Sequence, residues 1–170
     1  AAYDDWRSPL RDGARYALGV ALRLPLTDRI SAAGTLAHNI RRAKSAVFDL
    51  DDSSLRFNLD YQPSERSLYY GSAELRDGDI VSSGRPSLEN LGLAEHFVED
   101  DAFGGRDFLS YRFKARVGVL RLGANWRMGP ASSLDLSWSR SVARPRDDLP
   151  VLDTPGYFAG HVRMVYLVRY

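Results

Sequence analysis

The chain has no cysteine, and of its 23 basic residues only Lys44 and Lys114 are lysines. Without thiols it can form neither disulfides nor thiolate metal sites, which is compatible with an oxidising compartment. No apolar run approaches the ~18 residues of a membrane-spanning helix. The best, YALGVALRLPL, is short and interrupted by Arg23 and Pro25. The opening AAYDDWRSPL has neither the basic start nor the apolar centre of a secretory leader. A net charge of +1 supplies no basic excess, so nucleic acid is not an expected partner. P-loop, dinucleotide and metal-ligand patterns are missing as well, so no cofactor and no metal is expected. What remains is one domain, or part of one, of 170 residues, 44% of them hydrophobic.

What the chain does have is a period of two along most of its length. Tyr16, Leu18, Val20, Leu22, Leu24 and Leu26 alternate with Arg15, Ala17, Gly19, Ala21 and Arg23. A second strand sets Ile30, Ala32, Leu36 and Ile40 against Ser31, Thr35, Asn39 and Arg41, and a third sets Leu55, Phe57, Leu59 and Tyr61 against Arg56, Asn58, Asp60 and Gln62. In a fourth, Tyr69, Gly71, Ala73 and Leu75 oppose Ser72, Glu74 and Arg76. Residues 109–128 read as one long strand whose apolar parity changes at Gly118, which predicts a β-bulge there. A sixth strand carries Leu134, Leu136, Trp138 and Val142, and a seventh begins near Tyr157.

Alternation alone does not say whether the apolar face is buried or faces lipid. Three features favour lipid. Connections alternate between tight (27–29, 63–66, 129–132) and long (42–53, 77–107, 143–156), as in barrels with short periplasmic turns and long extracellular loops. The other face carries small residues and arginines (Ala17, Gly19, Ala21, Ala33, Ala37, Gly123) where a soluble sheet would carry Lys, Glu and Thr. Aromatics fall near strand ends, at Tyr16, Tyr61, Tyr69, Trp126, Phe158 and Tyr170. The expected fold is an all-β, antiparallel, up-and-down transmembrane barrel.

The last strand, HVRMVYLVRY, places Val162, Met164, Tyr166, Val168 and Tyr170 on one face and ends on an aromatic. It resembles the C-terminal recognition signal of Gram-negative outer-membrane β-barrel proteins. LRDGDIVSSG and EDDAFGG are similar to strings of predicted outer-membrane proteins without an assigned activity. The resemblance implies the outer membrane as location, insertion by the barrel-assembly machinery with Tyr166, Val168 and Tyr170 as signal, and contact with outer-membrane lipids and lipopolysaccharide. Seven strands are legible, an odd number where bacterial single-chain barrels close with an even one. Residues 1–13 read as an extracellular stub before barrel strands in 14–170, and the chain is expected to be part of a larger barrel completed by an upstream segment or a partner chain.

Charge separates with this topology. The stub and the three long connections hold 17 of the 22 acids and 8 of the 23 basic residues; the remainder is basic. Inward candidates are Arg15, Arg23, Arg41, Arg56, Arg76, Arg121, Arg127 and Arg163, with Asp60, Glu74 and Asp135. They form either a packed interior of paired charges or a basic lumen that attracts anions, for which the arginine fork is suited. The acids Asp49, Asp51, Asp52, Glu99, Asp100 and Asp101 are either solvated loop residues or a divalent-cation site, without EF-hand spacing. Ser87 reads as the N-cap of a helix bearing Leu88, Leu91, Ala94, Phe97 and Val98.

The expected function is an anion-favouring pore. The alternatives are a non-conducting scaffold with acidic surface loops and a lipid-modifying barrel hydrolase. A hydrolase would need a Ser–His pair on the lipid-facing rim. His38 lies there, but the nearest downstream serine, Ser45, is beyond its strand, so no enzyme activity is expected.

Overall fold

The computed structural model describes residues 2–4, 9–100, 105–146 and 157–168. Among these residues, nine strands form one antiparallel sheet: β1 Ala2–Asp4, β2 Gly13–Thr27, β3 Ile30–Ala43, β4 Leu50–Ser64, β5 Ser67–Gly84, β6 His96–Asp100, β7 Gly105–Arg127, β8 Ser132–Pro145 and β9 Tyr157–Val168. Spatial order follows the chain except at β6, which pairs with β7 alongside the main path. No described strand joins β9 back to β2, so the sheet is open. The expected all-β antiparallel architecture is present. The stub contributes more than a loop, because β1 pairs with the start of β2 through Ala2–Arg15, Tyr3–Ala14 and Asp4–Gly13.

The tight connections and the long ones lie at opposite ends of the sheet. Thr27 Oγ1 accepts from the Arg29 and Ile30 N–H groups in the first tight turn, which supplies partners where the ladder stops. Among the described residues, pairing slips only where two strands approach these turns, at Pro25/Thr27 and Tyr61/Ser64, and at Glu99/Asp100.

Register places the apolar residues together. Leu18, Val20, Leu22 and Leu24 pair with His38, Leu36, Gly34 and Ala32, and the row continues through Leu55, Phe57 and Leu59 to Leu75, Ala73 and Gly71. This face is uncovered: Leu18 is 79% exposed, whereas the Asp52 and Glu74 side chains on the opposite, polar face are 13% and 16% exposed. That reverses the usual order of burial and is a large exposed apolar patch.

No bulge forms at Gly118. Pairing of β7 with both β5 and β8 runs through it unbroken. The polarity of the sheet inverts there instead. Toward the turn end, Leu120, Leu122 and Trp126 share the apolar face; toward the other end the same face carries Arg116, Lys114 and Arg112. Leu109, Tyr111, Phe113, Ala115 and Val117 lie on the polar-face side, where Tyr111 and Ala115 are fully buried. Ser110 is buried as well, so β7 is covered on both sides at this end. The predicted helix forms as α1, Leu88–Leu93, with Ser87 Oγ accepting from Asn90 N–H at 3.1 Å. It is shorter than its apolar spacing indicated, because Phe97 and Val98, in β6, pair with Tyr111 and Ser110 of β7 and satisfy an edge that β8 leaves open.

Candidate functional site

All eleven inward candidates fall on the polar face, as the pairs Arg15–Arg41, Arg56–Glu74, Asn125–Asp135 and Ser137–Arg163 require. Some of them form a lattice. Arg56 Nε and Nη2 donate to Glu74 Oε2, the former at 2.9 Å, and Arg76 Nη2 donates to Glu74 Oε1 at 3.2 Å. Arg76 Nε also lies 3.6 Å from Asp52, which accepts from Asn39 Nδ2 at 3.1 Å. Arg41 donates to the Arg11 carbonyl at 2.6 Å. Nearer the tight turns, Tyr70 Oη donates to both Asp135 oxygens at 3.1 Å, and its ring lies over Gly123, where any side chain would collide. The side chains of Arg15, Arg23, Arg121, Arg127 and Arg163 make no hydrogen bond or ion pair among the described residues, so the face keeps basic groups in excess. Sequence reasoning missed Tyr70, whose signal was its position between the outward-phased Tyr69 and Gly71.

The acidic candidates do not converge. Asp51 and Asp52 lie in β4 rather than in a loop, and alternation sends them to opposite faces. Asp49 accepts from Ala43 N–H at 2.6 Å and closes the 3₁₀ turn Ala46–Phe48. Glu99 lies in β6; the Asp100 side chain and Asp101 are outside the described residues. No group of three His, Asp or Glu suited to a metal occurs among the described residues. Tyr166 and Val168 sit on the apolar face, and Tyr170 is outside the described residues.

A second cluster occupies the apolar-face side just beyond its last leucines. His38 pairs across the strands with Ser53, and Ile40 with Asp51. His38 Nδ1 is 3.0 Å from Ser53 Oγ, and Nε2 is 3.5 Å from Asp51 Oδ1. Beside Ser53 and Asp51 lies a cavity of about 500 Å³ that Asp77, Asp79, Arg112, Lys114 and Arg146 help to line. The serine partner is Ser53, not Ser45. The sequence reading placed Ser53 in the connection 42–53; the register of β3 on β4 brings it across the ladder from His38.

The aromatic end of the apolar face is also assembled. Tyr61 stacks on Tyr69 at 6.2 Å between ring centroids, and Trp126 meets Tyr69 edge-on at 6.2 Å. Comparison with family models, curated proteins and solved structures finds no match to this chain.

Proposed function

We propose that this chain is part of an outer-membrane β-barrel whose basic inner face favours the passage of anions. One observation carries the reading: a continuous, uncovered apolar face backed by a face of charged residues. In water such a face exposes thousands of Å² of hydrocarbon on the order of 25 cal/mol per Å², whereas lipid removes that cost. From Tyr16 to Leu26 is ten residue steps, about 33 Å along the strand and roughly 25 Å at a typical barrel tilt of ~40°, the height of a hydrocarbon band. The Tyr61–Tyr69–Trp126 cluster then belongs to the periplasmic girdle, and the charged row beyond Leu36, Leu55 and Leu75 to the extracellular rim. The terminal pattern with Tyr166 and Val168 supports delivery by the barrel-assembly machinery.

Closure follows from strand direction. β2 and β9 both run toward the tight-turn end, so a wholly antiparallel barrel takes an odd number of strands between them, running the other way. β1 runs in that direction and occupies one end of the gap. An upstream barrel segment continuing β1 along β2 fits it.

The test is single-channel conductance of the full-length protein purified from membranes, in a KCl gradient. The expected result is a steady conductance with an anion-selective reversal potential that falls toward neutrality in Arg121→Ala and Arg127→Ala. A silent bilayer from protein shown to be folded by its heat-dependent gel shift overturns the pore and leaves the scaffold reading. The lattice around Glu74 and the Tyr70 bridge favour that second reading, because both fill space on the polar face.

A further inference from the structure

Ser53, His38 and Asp51 come from two neighbouring strands and form a relay that the ladder register enforces. His38 faces Ser53 directly, and Asp51 stands two residues further along the same face of β4. The Asp51 carboxylate, 3.5 Å from His38 Nε2, favours the tautomer with its proton on Nε2. Nδ1 is then a lone-pair acceptor, 3.0 Å from Ser53 Oγ. This is the serine–base–acid order of a hydrolytic relay, with the two ring nitrogens in exchanged roles. All three residues are exposed, so a substrate can reach them.

Their position selects the substrate. The row immediately below is Leu36, Leu55 and Leu75, so acyl chains lying on the apolar face bring their ester groups to the level of Ser53. The adjoining cavity is lined by Arg112, Lys114 and Arg146 together with Asp77, Asp79 and Glu95; Arg112 and Lys114 pair with Glu95, and Arg146 with Asp77. It also contains unmet hydrogen-bonding capacity: Asp79 Oδ1 and Arg112 Nε are buried there without a partner among the described residues. Charged side chains of both signs beside an ester-level nucleophile fit a polar headgroup.

Resting on the membrane reading above, we infer that Ser53, His38 and Asp51 are a hydrolase site for the acyl ester of a membrane lipid with a polar headgroup. Ser53 Oγ attacks the ester carbonyl as His38 Nδ1 takes its proton. Collapse of the tetrahedral intermediate breaks the bond to the alcohol oxygen, which receives that proton from His38. Water then attacks the acyl-serine with His38 again as base, and Ser53 recovers the proton as the fatty acid leaves. Ester and water give acid and alcohol, and no further reactant is needed. Asp51 is a positioning residue that holds Nε2–H and stabilises the imidazolium.

The full-length protein is reacted in detergent micelles with a fluorophosphonate, and the adduct is located by mass spectrometry. In parallel it is reconstituted with phosphatidylethanolamine vesicles or with an acylated, phosphorylated glucosamine lipid, and free fatty acid is measured. The expected result is an adduct on Ser53 and fatty-acid release from one of the two lipids, which names the source. Ser53→Ala loses both. His38→Ala slows release at least 100-fold. Asp51→Asn lowers kcat about 10-fold at unchanged KM and is rescued by Asp51→Glu. Ser139→Ala, which removes the contact of Ser139 Oγ with the His161 ring between β8 and β9, changes nothing. Wild-type protein that floats with vesicles and shifts on heating, yet gives neither adduct nor fatty acid, overturns the site while the membrane reading stands. Protein that labels at Ser53 and cleaves a short soluble ester but does not float overturns the membrane reading and the lipid substrate together.

Discussion

At the scale of single residues, the polar face depends on complementary shapes as much as on charge. Tyr70 can reach Asp135 only because Gly123 leaves room for its ring. Gly123→Ala is therefore expected to cost about 1–3 kcal/mol through overpacking. It should cost much less in a Tyr70→Ala background, where the ring is gone; urea titration of the refolded protein followed by tryptophan fluorescence checks both. Gly78 is constrained differently: its φ of +143° and its approach to the Asp51 carbonyl and the Asp52 backbone exclude a Cβ. Gly78 closes Arg76-Asp77-Gly78; Gly13, which closes the matching Arg11-Asp12-Gly13, is likewise pressed against backbone, that of Arg42 and Ala43. Glu74 bridges Arg56 and Arg76, so Glu74→Gln removes the anion that neutralises both. In the pore reading it is expected to raise anion selectivity, read from the reversal potential, at a stability cost of about 1 kcal/mol or less because both arginines are about half exposed.

At the scale of strands, alternation carries the consequences of adjacency. Phe57 and Asn58 are neighbours in β4, yet one belongs to the apolar face and the other to the polar face. In a lipid-embedded barrel Phe57→Arg is expected to destabilise by about 2–4 kcal/mol, the cost of arginine near the bilayer midplane. Asn58→Arg should change stability little. Equilibrium folding into short-chain lipid vesicles measures the difference, and equal effects would refute the lipid-facing assignment. Within β7 the same alternation serves two environments, with leucines outward on one side of Gly118 and Arg116, Lys114 and Arg112 outward on the other. The strand thus leaves the apolar band near Gly118, and its face reads as that of a water-soluble sheet beyond it.

At the scale of the whole molecule, the open edge dominates. Among the described residues, β2 beyond its β1-paired start and β9 present unpaired backbone along their outer edges, and in a bilayer such groups must be satisfied by protein. Hydrogen exchange on the full-length protein in micelles is expected to show the amides of Tyr16–Thr27 and Tyr157–Val168 as strongly protected as those of β4. Rapid exchange along either edge would mean that the sheet remains open and that the closed-barrel reading fails. A strand in the gap would also bring its polar side chains beside Arg15, Arg23 and Arg163, so the excess of positive charge on the inner face is set partly by that strand.

The sequence by itself determined the seven long strands, the face of their residues outside Leu109–Val117 and the segregation of the eleven charged residues, because a period of two needs only local backbone geometry. It could not distinguish a bulge from an inversion of polarity at Gly118, since both give the same string of residues and only the partners in β5 and β8 tell them apart. It could not couple His38 to Ser53, fifteen residues away, because their meeting depends on which rung of the ladder each occupies. Nor could it separate the helix at Leu88–Leu93 from the strand that follows, where an available edge overrides local spacing. Tertiary structure decided those points because register is a relation between strands, fixed by side-chain packing and backbone hydrogen bonding across the whole sheet.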